Sequence, residues 1–424
     1  MLSKLKQKFQ REEHKRLLSN FISLSILQGA NYILPLITFP YLIRVLGVEK
    51  YGLLAFANAT IAYFNILTDY GFNLTATREV SIYRDDKEKL IEIFSSVMTI
   101  KFILTILSLI LLTILVFNFE KFRKDAIIYY LTFGIVIGQI LFPQWFFQGM
   151  ERMKYITFLN ITAKIIFTIA IFVFIHKESD YWKVPLISSL GFIIAGILAL
   201  YIIFKDFKIK FKIQRLSTLI WYLKDGWHLF LSSFAGSFYR NFNTLVLGFL
   251  TNNLFVGYYS IAERVIKIIQ SLQTIVGNTL FPFFSKKISE NKYYFYETTK
   301  KYIKVIFISY LFASILTFIG SKYIIYLIEG AYDKHSILDL QIMSIVILVG
   351  GFNYYFGVLG LITMGYKKEF SKAIIITGVS NILLSFFLVY LYKDIGASLS
   401  LVISEVVLLV ILLNYFRNFY KDES

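Results

Sequence analysis

Apolar residues fill the chain in long runs separated by short charged turns. A hydrocarbon core of about 30 Å takes about 20 helical residues to cross. Runs of that length fall at 18–46, 51–70, 91–117, 126–148, 155–175, 184–204, 218–250, 255–284, 302–328, 337–364, 370–392 and 395–416. The pattern predicts an all-α integral membrane protein of about twelve transmembrane helices. The first run is too long for one straight span. Pro35 and Pro40 predict a kink in its outer half, because proline removes a backbone donor and crowds the preceding turn.

Within the runs, polar residues share single helical faces. Gln28, Asn31 and Pro35 fall at i, i+3 and i+7, and Asn58, Asn65 and Asp69 at i, i+7 and i+11. Later come Ser233, Ser237, Arg240 and Thr244, then Glu263, Lys267, Gln270, Thr274 and Asn278. An amide or charge facing lipid is costly, so these faces should look into protein or a shared wet cavity. Helix-to-helix hydrogen bonding explains the first stripe equally well. Asp69, at a cytoplasmic helix end, reads as a solvated or Arg-paired cap more readily than as a transport carboxylate. Lys101 and Lys164 lie deeper than a lysine stem reaches by snorkelling, which also predicts a wet interior. Arg240 and Glu263 each sit eight residues from an outer turn, about 12 Å deep, where they can pair. Glu405 is a lone mid-span carboxylate in need of a partner, whereas Ser380, Asn381, Ser385 and Asn353 suit packing contacts.

Composition agrees with a membrane protein. Of 424 residues, 57% are hydrophobic and only 17% charged, against roughly 25% charged in soluble domains. The formal charge of +17 follows topology rather than a nucleic-acid surface. With the N-terminus inside, the cytoplasmic segments hold 27 Lys and Arg and the opposite loops 8, an asymmetry that places both termini in the cytoplasm. Cysteine is absent and the four histidines show no ligand spacing, so no disulfide, metal site or cofactor is expected. No P-loop or nucleophile constellation is seen.

At Gln144–Thr157, QWFFQGMERMKYIT, an apolar run meets a basic turn. Trp145, Phe146 and Phe147 suit a membrane interface, Arg152 and Lys154 its cytoplasmic side. Gln144 and Gln148, four residues apart, put two amides on one face, which should look into a polar interior. This stretch, with LLSNFISLSILQGANYILPLITFPYLIRVLGVEKYG, LTDYGFNLTATREVS and VGYYSIAERVIKIIQSL, resembles the O-antigen flippases of the polysaccharide transporter family. That family lies in the multidrug/oligosaccharidyl-lipid/polysaccharide exporter superfamily, with the MATE proteins and lipid II flippases.

The basic stretch at 205–217 predicts a linker between an N-lobe at 17–204 and a C-lobe at 218–416, with a basic segment at 1–16 and a tail at 417–424. An internal repeat supports two lobes: the sequence from Val45 aligns with that from Val246, matching Ala57-Asn58 to Ala262-Glu263. The lobes should be related by a pseudo-two-fold along the membrane normal.

The polar stripes predict a basic cavity opening alternately to either side. Around it Lys101, Lys164, Arg240, Arg264 and Lys267 outnumber Asp69 and Glu263, which suits an anionic head. The resemblance implies that this head belongs to an undecaprenyl-pyrophosphate-linked oligosaccharide, flipped from the cytoplasmic to the outer leaflet of the bacterial inner membrane. It also implies a polysaccharide polymerase and a chain-length regulator as partners, and no nucleic acid. A proton or sodium ion exchanged at Glu263 or Asp69 is the expected coupling, since one charge crossing 100 mV is worth about 2.3 kcal/mol. A MATE-like exporter of cationic drugs would need a carboxylate-rich cavity. A polysaccharide polymerase, the enzymatic alternative, would need a long outer loop.

Overall fold

The computed structural model describes the backbone of residues 2–291 and 293–422; the side chains at 2–22, 24, 25, 32, 33, 235, 237–240, 278 and 419–422 fall outside the description. The helices in chain order are α1 (Leu2–Asp69), α2 (Phe72–Ile82), α3 (Lys87–Asn118), α4 (Glu120–Lys124), α5 (Ala126–Leu141), α6 (Gln144–Gly149) and α7 (Met153–Phe174). They continue with α8 (Lys183–Lys205), α9 (Leu216–Leu250), α10 (Asn253–Glu290), α11 (Tyr294–Glu329), α12 (Lys334–Met343), α13 (Ile345–Asn353) and α14 (Lys367–Asp422), with a π-helical segment at Tyr354–Ile362 before the last.

Among the described residues, 8 helical stretches are long and apolar enough to cross a membrane. The chain is therefore an all-helical, multi-pass membrane protein. Side chains end several helices: Asp86 accepts from the Lys89 amide ahead of α3, Asn252 from Phe255 ahead of α10, and Asp333 from His335 and Ser336 ahead of α12. Each satisfies amides that a helix start leaves unpaired.

The chain breaks between the first two apolar runs, where their spacing predicts a turn. Helical φ/ψ continue through Pro35 and Pro40, and the break comes at Gly47, with φ 78° and ψ 164°. That backbone region is essentially open to glycine alone. The matching break in α14 falls at Lys393, with φ 53°, a conformation that costs a non-glycine residue of order 1–3 kcal/mol.

Contacts divide the chain into two compact units, residues 1–45 with 60–234, and 46–59 with 235–424. The first has its core where α2 and α6 meet: Phe72, Ala76, Val80, Phe94, Trp145, Phe146, Phe147, Ile203 and Tyr222 are all buried. A Cβ on Gly149 would come within 2.5 Å of Val80, so this glycine lets α6 lie directly on α2. Arg78 bridges Glu79 and Asp225, and Arg84 lies 2.7 Å from Glu151.

The second unit packs α10, α11 and α14 around the π-helical segment, with Phe284, Phe295, Phe356, Leu412 and Phe416 buried. It also contains a close helix crossing at two glycines that the repeat aligns. A Cβ on Gly52 would meet the Asn253 carbonyl oxygen at 1.9 Å, and one on Gly257 would meet the Val48 oxygen at 2.3 Å. These glycines are equivalent in the repeat, and each faces the carbonyl four positions before the other. Small residues allow such backbone approach in membranes.

Gly52→Ala must therefore force the backbones apart and destabilise by about 1–3 kcal/mol or more. Gly29→Ala meets nothing within 4 Å and should be neutral or slightly stabilising, alanine being the better helix former. Thermal unfolding of the two purified variants in one detergent checks the contrast; equal melting temperatures would contradict it.

Candidate functional site

The first unit holds a polar cavity of about 280 Å³ inside a shell of apolar helices, lined by Asn65, Thr68, Asp69, Asn73, Lys101, Gln139, Ile140, Phe142, Gln144 and Phe192. Three glycine contacts shape one wall. A Cβ on Gly134 would strike Ser189, one on Gly138 would strike Phe192, and one on Gly196 would strike Leu141. Helices α5 and α8 therefore touch closely and bring Gln139 and Phe192 to the same surface. Helix α5 stops at Leu141, Phe142 and Pro143 break the run, and α6 restarts at Gln144. The break turns Gln144 into the cavity. The end of α1 and the first turn of α2 supply the remaining amides and Asp69.

Lys101 Nζ lies 3.2 Å from Asp69 Oδ1, with the lysine side chain 6% exposed and the aspartate 30%. A buried ammonium needs a counter-charge or water, and Asp69 provides one. The residue expected as a solvated or Arg-paired cap is thus the partner of an intramembrane lysine. Asn65 Oδ1 is buried without a hydrogen-bond partner in the protein, although buried acceptors nearly always have one.

Asn65, Asp69, Lys101 and Gln144, found by helical spacing, therefore meet in one cavity. Gln148 instead accepts from Thr77 Oγ1 at 3.4 Å, in the contact of α6 with α2. The aromatics Trp145, Phe146 and Phe147 are fully buried in that contact, which corrects their reading as interface residues; only Arg152 and Lys154 beside them are exposed. Gln139, Asn73, Thr68 and Phe192 were missed. Gln139 had a signal, as one amide in an otherwise apolar run.

A second cavity in the same unit, about 230 Å³, is lined by Pro35, Thr38, Asn160, Lys164, Ser188 and Phe192 among others. Lys164 Nζ donates to Asn31 Oδ1, joining two more expected residues. Phe192 is a wall of both cavities. Gln28 is exposed and lines neither.

In the second unit, Asn58 is exposed and donates to the Leu54 carbonyl of its own helix. Glu263 lies 2.8 Å from Lys267, one turn along α10, and accepts from Tyr259 Oη at 3.4 Å. Arg240, Ser237 and Asn278 lie outside the described side chains, and with them the expected Arg240–Glu263 pair. Arg264 is half-buried beside Glu263, and Gln270 reaches Gly350 of α13. Lys101 and Lys267 each contact a carboxylate, so counting cations overstates the positive field. The partner of Glu405 is Asn353, whose Nδ2 donates to its Oε2 at 2.6 Å. Asn381 Oδ1 accepts from Ser400 and Ser404, both at 2.9 Å, a packing network as expected. A third cavity, about 540 Å³, is lined by aromatics including Tyr294, Tyr302, Tyr310, Tyr354 and Tyr355.

Solved structures share the fold of this multi-pass helical protein. An inward-facing MATE family transporter of the MOP superfamily aligns with TM-score 0.66 at 14% identity, covering 96% of this chain and 100% of that one. The lipid II flippase MurJ, in an inward closed conformation, aligns with TM-score 0.65 at 16% identity, covering 95% and 87%. The chain belongs to the polysaccharide biosynthesis protein family, whose model matches residues 17–288. A relative in Escherichia coli (strain K12) named "Putative O-antigen transporter" is 31% identical over 94% of this chain and 96% of its own length. One of the same name in Shigella dysenteriae is 27% identical over 93% and 98%.

Removing one partner of a buried ion pair costs about 3–5 kcal/mol, and replacing both with apolar groups costs far less. Asp69→Asn should therefore lower the melting temperature of the purified protein, by less than that full range because Asp69 is part-exposed. The double variant Asp69→Leu with Lys101→Met should recover most of the loss. Equal melting temperatures for the single and double variants would show that the pair carries no such energy.

Proposed function

We propose that the protein flips an undecaprenyl-pyrophosphate-linked oligosaccharide, the repeat unit of an O-antigen or related polysaccharide, from the cytoplasmic to the outer leaflet of the bacterial inner membrane. The observation that carries this reading is the whole-length likeness to two relatives named as O-antigen transporters. The shared fold with a lipid II flippase supports the same class of cargo, a sugar on a lipid carrier. The lining of the first unit's cavities supports it too, because amides suit sugar hydroxyls while Lys164 suits phosphate oxygens. No step needs a catalytic group or cofactor.

In this reading the lipid tail stays in the bilayer while the head passes by alternating access. Both termini are cytoplasmic in this reading, which the excess of Lys and Arg in the segments on that side supports. Divided at Gly47 and Lys393, α1 and α14 give two crossings each, and α9 and α10 join the others to make twelve. The reciprocal contact of Gly52 and Gly257 is what a pseudo-two-fold between two repeats would produce. Glu263 or Asp69 is the place for a coupling proton or sodium ion. A polymerase and a chain-length regulator act on the product outside.

Deleting the gene tests this on one gel and one lipid extract. Loss of all surface repeat units, with the lipid-linked precursor accumulating inside, is the expected outcome. Single repeat units still reaching the surface would point to a polymerase instead, and unchanged polysaccharide would overturn the proposal.

A further inference from the structure

We infer that the cavity bounded by the end of α1, α2, α3, α5, α6 and α8 is a subsite for one neutral sugar ring; the origin of that ring, in a lipid-linked oligosaccharide, rests on the flippase reading. Size is the first reason. At about 280 Å³, the cavity lies just below the roughly 300–1,000 Å³ of ordinary ligand pockets. It has room for a single pyranose and excludes a whole repeat unit.

The lining gives the second reason. Asn65, Asn73, Gln139 and Gln144 each bring an amide, and an amide both donates and accepts, as a hydroxyl does. A ring bearing hydroxyls at successive carbons needs such mixed partners, whereas a phosphate needs only donors. Phe142 and Phe192 add ring faces against which the C–H face of a sugar can lie. Asn65 is part of this lining, and its Oδ1 is a buried acceptor without a protein donor.

Charge narrows the ligand further. Lys101 is in contact with Asp69, so the cavity is close to neutral even though it contains a lysine. A uronic acid or a pyrophosphate would have to compete with Asp69 for that ammonium. A hexose, 6-deoxyhexose or N-acetylhexosamine meets no such competition.

The test is binding by the full-length protein in detergent, read by saturation-transfer NMR with free N-acetylglucosamine, galactose, mannose, rhamnose, glucuronate and inorganic pyrophosphate as probes. At least one neutral sugar should bind with Kd in about the millimolar range, as suits a small ligand with few contacts. Gln139→Leu, Gln144→Leu and Asn65→Leu should each weaken it roughly three- to tenfold, the worth of a hydrogen bond. Gln139 is exposed at its site, so its variant should fold normally; Gln214→Leu, outside the cavity, should bind as the parent does. Neutral sugars that fail to bind the parent, or that bind all three cavity variants undiminished, would overturn the inference, as would preferential binding of glucuronate or pyrophosphate. Sugar binding by a protein whose deletion leaves surface polysaccharide unchanged would remove the flippase reading and leave the subsite standing.

Discussion

A polar group inside a hydrocarbon core has no water to bind, so it must find a protein partner or border a cavity. The membrane-embedded polar residues of this chain fall under that constraint one by one. Lys101 meets Asp69, Lys164 meets Asn31, and Glu405 meets Asn353. Asp339, wholly buried, accepts from Ser398 at 2.6 Å. Asn381 gathers two serines of α14. The first unit's polar cavity brings four amides to one lining beside the Lys101–Asp69 pair.

Close approach of backbones makes those arrangements possible. Where α5 touches α8, glycines replace the side chains that would hold the helices apart, and Gln139 and Phe192 arrive at one wall as a consequence. The same device brings Gly52 and Gly257 together in the second unit. Without a hydrophobic drive between helices in lipid, this close packing and the buried hydrogen bonds carry the association. The polar cavity and the fold therefore depend on the same few small residues.

Much of this was legible in the sequence, and the limits have physical causes. Span length and helical spacing located Asn65, Asp69, Lys101 and Gln144, because a polar residue stands out against a lipid-facing background. Spacing on one helix does not say which neighbour lies opposite, so the Lys101–Asp69 and Asn353–Glu405 partners came only with the fold. Trp145, Phe146 and Phe147 were misplaced at the interface because aromatic residues serve a membrane boundary and a packed core equally well. Gly47 makes the break between the first two apolar runs, with a φ/ψ pair that glycine alone adopts readily. Gln139 and Phe192 belong to a wall that exists only when α5 and α8 meet.

The central claim is movement of a lipid-linked sugar across a bilayer, and reconstitution measures it directly. Purified protein is placed in liposomes whose lipid-linked oligosaccharide starts in the inner leaflet, and exposure to a membrane-impermeant lectin outside is followed over time. The account predicts that exposure rises only in liposomes containing the protein and slows when Gln144 and Asn65 are both replaced by leucine. Exposure at the rate of protein-free liposomes would contradict it.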